Sequence, residues 1–355
     1  MIQKLQKAIR ENKKIDGALI LSEENRRYYT GFASSDGYLL VSADKAVFIT
    51  DSRYVEAAEK QITNCEVRLQ KNTYAQLLET FLEMGVQQIG IEASRVSLAD
   101  YAVLAEELEP LYIEADSTLD EMITAQRMVK TEAEIEKIVA AQRIAEEALE
   151  HIFNFIKPGK TEKEVALELD FYMLSHGAEA LSFETIAVSG HKGSMPHGVP
   201  DEKRIETGDF VTMDFGAIVD GYHSDMTRTI AVGSVSDEQK EVYNTVLAAQ
   251  MAVINGVRVG MTGVEGDALA RDIIKNAGYG EYFGHGTGHG VGVEIHEEPR
   301  LSMACQKKLA VNHVVTAEPG IYIPGKFGVR IEDMIRITEN GCENLTKAPK
   351  ELIIL

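Results

Sequence analysis

Four carboxylates and one imidazole stand out for what they could do together. Asp214, Asp225, His289, Glu318 and Glu332 fall in the segments MDFGAIVDGYHSDMTRTI, FGHGTGHGVGVEIHEEP, TAEPGIYIPG and VRIEDM. Any one of these acids alone reads as a solvated strand residue or a turn former. Together they form a hard, oxygen-rich donor set of about four negative charges, suited to two divalent cations side by side. Such a pair, roughly 3.5–4 Å apart, holds a hydroxide and polarises a carbonyl, so that an amide is hydrolysed without a serine or cysteine. Carboxylates inside apolar strands would otherwise be costly to bury.

Local geometry follows by counting. FVTMDFGAIV and YHSDMTRTIAV read as buried strands on either side of Asp220-Gly221, and an Asp-Gly pair between apolar runs signals a two-residue hairpin turn. Val219 then faces Tyr222 and Asp214 faces Thr227. Asp225 lies two places from Thr227, so both aspartates share one face as diagonal neighbours, about 7–8 Å apart at Cβ or less. A second turn centred on Gly325 sets Glu318 opposite Glu332, with a less certain register because the loop PGKFG is longer. Arg330, two residues before Glu332, shares that face, where it pairs with the acids or reaches substrate.

The run FGHGTGHGVG invites a nucleotide-loop reading. Its glycines are spaced GxGxG, no Gly-Lys-Ser/Thr follows, and it carries two histidines, so phosphate binding is disfavoured. The glycines are expected to let backbone approach the metals closely.

These residues need a scaffold. Residues 1 to about 125 alternate strand-like DGALIL, YLLVSA, AVFIT and QIGIE with helical LQKAIRENK, RYVEAAEKQ, YAQLLETFLEMG and LADYAVLAEELE, the pattern of a small α/β domain. NRRYYTGF (25–32) reads as an aromatic, basic loop or a packed strand edge. After the linker MVK, Thr131 and Glu134 form a capping box for a long helix that Pro158-Gly159 stops. Thr161 and Glu164 begin a second helix, ending near Gly177. Gly159, Thr161 and Gly177 recur as Gly260, Thr262 and Gly278, all offset by 101, which suggests two related halves with a site at their junction. The expected division is 1–125 and 126–355.

Composition sets limits. The chain has 355 residues, enough for two cores, and 45% apolar with 26% charged residues describes a soluble globular protein. A net charge of −20 with no basic stripe argues against nucleic acid. MIQKLQKAIRENKKIDG is amphipathic, not a signal peptide, and no apolar run of about 18 residues spans a membrane. Cys65, Cys305 and Cys342 form no CxxC pair and read as inert thiols of a reducing cytosol.

With these segments in view, the chain resembles the metallopeptidases that include Xaa-Pro dipeptidase (prolidase), aminopeptidase P and methionine aminopeptidase, with creatinase as a metal-free relative. The resemblance runs the whole length and matches all five metal positions. It implies a creatinase-like N-terminal α/β domain, whose loops can border a neighbouring subunit's site, followed by a pita-bread catalytic domain. It implies a cytoplasmic homodimer that hydrolyses Xaa-Pro bonds of dipeptides or short peptides, with two divalent ions, manganese or cobalt first and zinc or iron permitted. Asp214 and Asp225 would bind and bridge, His289 complete one metal, and Glu318 and Glu332 complete the pair, with Glu318 also carrying the proton to the leaving amine. His197 and His296 would contact substrate and intermediate, and His285 and Tyr322 match substrate-side positions. Arg300 falls where some microbial prolidases grip a dipeptide's carboxylate, and an arginine fork suits that group. A methionine-aminopeptidase-like enzyme and a metal-free peptide-binding module on the same fold are the rival readings.

Overall fold

Short apolar runs alternate with charged, amphipathic stretches through the first third of the chain, and each run becomes a strand. The computed structural model describes residues 1–355. It divides into two units, Met1–Arg127 and Met128–Leu355. In the first, β1 (Gly17–Ile20), β2 (Tyr38–Ser42), β3 (Ala46–Thr50), β4 (Glu66–Leu69), β5 (Gln88–Ile91) and β6 (Tyr112–Glu114) form one mixed sheet in the order β4-β3-β2-β1-β5-β6. Helices α1 (Ile2–Glu11), α2 (Glu23–Thr30), α3 (Val55–Gln61), α4 (Thr73–Glu83), α5 (Leu98–Glu107) and α6 (Thr118–Met128) accompany it. Leu19, Leu40, Ile49, Leu77, Phe81 and Ile89 are among the side chains of its core.

NRRYYTGF is neither loop nor strand edge. Residues 25–30 lie in α2, which ends on Gly31 in the left-handed region at φ 73°. Periodicity misses this helix because part of its buried face is polar: Asn25 donates to Glu92, and Arg26 to the carbonyls of Leu21 and Ser34. The edge strands β4 and β6 also escaped notice, since they are largely exposed or half-buried and carry no apolar run.

The second unit is built twice over. Helices α7 (Glu132–Ile152) and α8 (Glu162–Ser175) pack on one set of strands, α9 (Asp237–Gly256) and α10 (Gly263–Asn276) on another. All four begin with a complete capping box: Thr131/Glu134, Thr161/Glu164, Ser236/Gln239 and Thr262/Glu265. Two caps also make isolated backbone bridges to segments ahead of the strands, Thr161 to Arg204 and Thr262 to Lys308. Helix α7 ends at Ile152, ahead of Pro158-Gly159, because its last turn tightens: Asn154 and Phe155 donate to His151 and Ile152, three residues back.

The strands of this unit are β7 (Ala180–Leu181), β8 (Ile186–Ser189), β9 (Phe210–Phe215), β10 (Ala217–Val219), β11 (Tyr222–His223), β12 (Met226–Ala231), β13 (Gly288–Gly290), β14 (Glu297–Leu301), β15 (Val314–Ala317), β16 (Gly320–Ile323), β17 (Phe327–Arg330), β18 (Asp333–Thr338) and β19 (Gly341–Asn344). Both long hairpins keep the counted register. Val219 pairs with Tyr222 and Asp214 with Thr227, and Asp220 and Gly221 both have positive φ (49° and 77°). Ile323 pairs with Phe327 and Ala317 with Asp333.

Neither hairpin is one continuous ladder, however. The first is interrupted around Gly216 and Ser224–Asp225, where the Ser224 hydroxyl takes the Ala217 N–H. The second is interrupted at Glu318–Pro319 and Ile331–Glu332. Each hairpin therefore belongs to two sheets: β12-β9-β8 and β11-β10-β7, then β14-β13-β15-β18-β19 and β16-β17. No helix is long and apolar enough to cross a membrane.

Candidate functional site

The interruptions are where the acids stand. Asp225 immediately precedes β12, Glu318 follows β15 and Glu332 precedes β18, while Asp214 lies within β9. Two threonines on one face of β12 stitch the hairpins together. Thr227 accepts the Glu332 N–H at its carbonyl (3.1 Å) and donates its hydroxyl to Glu332 Oε2 (2.6 Å). The Thr229 hydroxyl contacts both the N–H and the carbonyl of Arg330, at 3.2 and 3.1 Å. His289 arrives on β13, its N–H held by the Thr316 hydroxyl at 3.1 Å, and Glu318 donates its N–H to the Thr287 carbonyl at 2.8 Å.

Side-chain donor atoms of Asp225, His289 and Glu332 lie within 4.8 Å of one another, all buried. His289 Nε2 is 3.5 Å from Asp225 Oδ2 and 3.2 Å from Glu318 Oε1. Its Nδ1 lies 3.1 Å from the Gly290 carbonyl, which only accepts, so Nδ1 carries the proton and Nε2 presents a lone pair. Burial, then the neighbouring His296, lowers the His289 pKa to about 3, so the ring is neutral. A lone pair thus faces two carboxyl groups. Burial first, then repulsion from Glu332, Asp214 and Glu318, pushes Asp225 well above the usual carboxylate range; Glu332 is raised in the same way, and burial lifts Glu318 to about 7. Asp214 Oδ1 and Glu332 Oε1 are buried without a hydrogen-bond partner. These groups fit divalent cations: unshared oxygens and a bare imidazole nitrogen converge where positive charge is missing.

Known proteins with the same architecture decide the family. Residues 136–339 match metallopeptidase family M24, and residues 1–129 the creatinase/prolidase N-terminal domain. The chain belongs to metallopeptidase family M24. It is 47% identical over 342 residues to the uncharacterized peptidase YqhT of Bacillus subtilis, covering 96% of each chain. Among solved structures it is similar to the Xaa-Pro dipeptidase from Bacillus anthracis (TM-score 0.95, 47% identity, 100% of this chain and 99% of that one). It is similar also to the X-Pro aminopeptidase from Thermotoga maritima (TM-score 0.91, 39% identity, 96% and 98%). M24 membership makes the chain a peptide hydrolase that works with divalent metal ions.

Around the M24 acids stand the other residues singled out in the sequence. Arg330 is buried and held by four contacts: it donates to Asp214 Oδ2 (2.5 Å), Thr227 Oγ1 (2.9 Å) and the Tyr322 hydroxyl (2.9 Å), and its Nη1 lies 3.3 Å from the Pro196 carbonyl. Tyr322 in turn lies 2.9 Å from His285 Nε2. Since His285 Nδ1 donates to the Gly286 carbonyl (2.8 Å), Nε2 accepts the phenolic proton, and burial keeps that ring neutral with a pKa of about 4. His296 stacks edge-on against His289, ring centres 4.4 Å apart. His197 is exposed, on the loop after the 3₁₀ turn Gly190–Ser194. Arg300 stands on β14 directly across from His289, on the same sheet face, and no hydrogen bond or ion pair within the chain engages its guanidinium.

The glycines either side of His289 let neighbouring strands pack closely: a Cβ on Gly288 would sit 2.0 Å from the Thr316 carbonyl oxygen and one on Gly290 2.4 Å from the Glu298 carbonyl oxygen. The hairpin count places Thr227 opposite Asp214 but does not show its tie to Glu332, and nothing local in the sequence marks Thr229 or Thr316. Two ion pairs behind the histidine loops, Glu162–Lys192 and Asp267–Arg271, were missed as well. The i,i+4 spacing of Asp267 and Arg271 was visible; nothing in the sequence linked Lys192 to Glu162. Burial pushes the thiols of Cys65 and Cys342 up to about 12 and 11, which removes them as nucleophiles.

Proposed function

We propose that the chain is a proline-directed exopeptidase hydrolysing the bond between an N-terminal residue and proline, with two divalent cations held by Asp214, Asp225, His289, Glu318 and Glu332. The observation that carries this reading is the convergence of the His289 Nε2 lone pair, aimed at Asp225 and Glu318 3.5 and 3.2 Å away, with the buried unpartnered oxygens of Asp214 and Glu332, a donor set that divalent cations would satisfy. The similarity to the Xaa-Pro dipeptidase from Bacillus anthracis and the X-Pro aminopeptidase from Thermotoga maritima supports the Xaa-Pro assignment. When bound, such a cation pair supplies an activated water and polarises the scissile carbonyl.

The chain's own residues do the rest. Glu318, beside His289, takes a proton and returns it to the leaving nitrogen. His296 and His197 donate toward the carbonyl oxygen as it gains charge. Arg330 fixes Asp214 and Tyr322, and His285 fixes the Tyr322 hydroxyl. Arg300, free of internal partners beside His289, receives the substrate carboxylate, which favours dipeptides over longer peptides. The complete donor set disfavours a metal-free binding module. Manganese is the proposed metal, with cobalt, zinc or iron compatible with the ligands. The resemblance also supports a homodimer, which sedimentation equilibrium tests. The deciding experiment measures metal content and hydrolysis of Xaa-Pro and Xaa-Pro-Yaa peptides before chelation, after it, and after Mn²⁺ is restored. Full activity in metal-free protein would overturn the proposal.

A further inference from the structure

The segment SGHKGSMPHGVPD links β8 to Asp201 and carries His197 near its outer end. It has little regular structure beyond one 3₁₀ turn, and its tip is exposed at Met195, His197 and Val199. A loop of this kind does not by its own backbone hold a side chain in one place. Inside it, however, is a buried ammonium. Lys192, 9% exposed, donates to Glu162 Oε2 at 2.6 Å, to the Val199 carbonyl at 2.9 Å and lies 2.9 Å from Asp201 Oδ2. An ammonium has three donors, and all three are used.

Glu162 is 0% exposed and is the first residue of α8, where the helix dipole favours a carboxylate. Its other oxygen accepts both the N–H (2.6 Å) and the hydroxyl (2.9 Å) of Ser189. The start of the loop is thus tied across to its end, and both are anchored to α8, with His197 in between. The second half repeats the device with different residues. Asp267 on α10, 1% exposed, accepts the N–H (3.0 Å) and hydroxyl (2.8 Å) of Thr287 and pairs with Arg271. Arg271 donates to the His285 carbonyl at 2.6 Å. Each clamp therefore ends on a loop bearing a histidine of the site. A buried ion pair gains little stability over an apolar pair of similar size, so its recurrence behind both loops points to geometry.

We propose that Lys192, seated on Glu162, is a positioning residue that holds the His197 loop in place for catalysis. The catalytic half of this statement rests on the proposed role of His197 at the substrate carbonyl; the mechanical half does not.

The test uses the full chain loaded with Mn²⁺ and follows kcat, KM, metal content and the rate of proteolytic nicking between residues 195 and 201. The variants are Lys192→Met, Lys192→Arg, His197→Ala, the pair Lys192→Met/His197→Ala, and Glu162→Gln/Lys192→Met, which leaves no unpaired buried charge should Lys192→Met alone fold poorly. Lys192→Met is expected to speed nicking and to lower kcat roughly a hundredfold with metal content unchanged, the scale of a misplaced catalytic group. On the His197→Ala background the same change should cost little more, as coupled residues do. Lys192→Arg should recover part of both losses. The neutral pair should behave as Lys192→Met does. Nicking at the wild-type rate in both Lys192→Met and the neutral pair would overturn the clamp. Full additivity with His197→Ala, or loss of metal in step with activity, would overturn the positioning role. Faster nicking with a fully active His197→Ala would uphold the clamp and sink the assigned role of His197.

Discussion

The two halves of the catalytic unit start from one plan and end with unequal shares of the chemistry. Each has a capped helix pair, a cap joined by an isolated backbone bridge to the segment ahead of a hairpin, and a long hairpin interrupted near its acids. Arg204 and Lys308, which make the bridges, are 104 positions apart, and so are Asp214 and Glu318. Opposite them in the continued register stand Thr227 and Glu332, and these two are hydrogen-bonded to each other at 2.6 Å. Where the first half offers a threonine, the second offers a carboxylate. The second half also contributes His289 and Arg300. The first half instead supplies the polar joint, Thr227 and Thr229, and the outlying His197 loop. The difference teaches that a repeated scaffold sets where side chains emerge, while side-chain type decides whether equivalent positions offer a hydroxyl, as at Thr227, or a carboxylate, as at Glu332.

The largest expected effect comes from removing a donor at the junction. His289→Ala or Asp225→Asn should remove coupled metal binding and lower kcat/KM by at least the roughly 10²–10³ of a lost transition-state contact, the chain staying folded. Metal analysis beside kinetics checks this; an active His289→Ala with full metal content would mean that the second half does not dominate binding.

The clamps should differ next. Asp267 grips Thr287, two residues before His289, whereas the Lys192 loop carries no proposed ligand. Arg271→Met is therefore expected to weaken metal affinity by about 10–100-fold, as loss of an outer-shell partner does, and Lys192→Met to leave it unchanged. Equal metal loss from both would dissolve the contrast between the halves.

Arg300 has no counterpart bearing charge in the first half. Arg300→Ala should lower kcat/KM for Xaa-Pro by about 1.5–3 kcal/mol, roughly ten- to a hundredfold, with Xaa-Pro-Yaa much less affected. Arg300→Lys should restore only part of it, because an ammonium makes no paired fork. Equal losses on both substrates would make Arg300 structural and move the aminopeptidase reading ahead.

The smallest effect concerns the turns that enter the hairpins. Gly208-Asp209 opens the first, with Asp209 paired to Lys203 at 2.9 Å; Asn312-His313 opens the second. His313 is 2% exposed, and burial, with Lys130 nearby, lowers its pKa to about 4. The unfolded chain, with an ordinary histidine near 6.5, binds the proton first as pH falls. Stability from the neutral ring is therefore complete above about pH 6.5 and lost toward pH 4, about 2 kcal/mol between pH 8 and pH 5. Denaturant titrations at those two pH values should show a smaller difference in His313→Asn than in the unaltered chain. An unchanged difference would place the acid sensitivity elsewhere.

Much of this could be read before any fold was known. Asp-Gly at 220–221 fixed the register that sets Asp214 against Thr227, because a two-residue turn admits one pairing. Gly325 did the same for the glutamates, despite its longer loop. Capping boxes at Thr131 and Thr161 marked the helix starts, since that signal is local. Where the signal was not local, the reading failed. Helix α2 hides its polar side chains against Glu92 and other distant partners, so its composition resembles a loop.

Sequence by itself determined the donor types, the two hairpins and the repeat that pairs the halves, because each follows from residue chemistry or from spacing along a few tens of residues. Only the tertiary structure decided that the ladders break beside the acids, that Arg330 is committed to Asp214 and Tyr322 while Arg300 is left without a partner, and that Lys192 closes on Glu162 thirty residues away. Those outcomes depend on which buried polar groups can satisfy one another across the interior, and a buried charge selects its partner by distance in space, not along the chain.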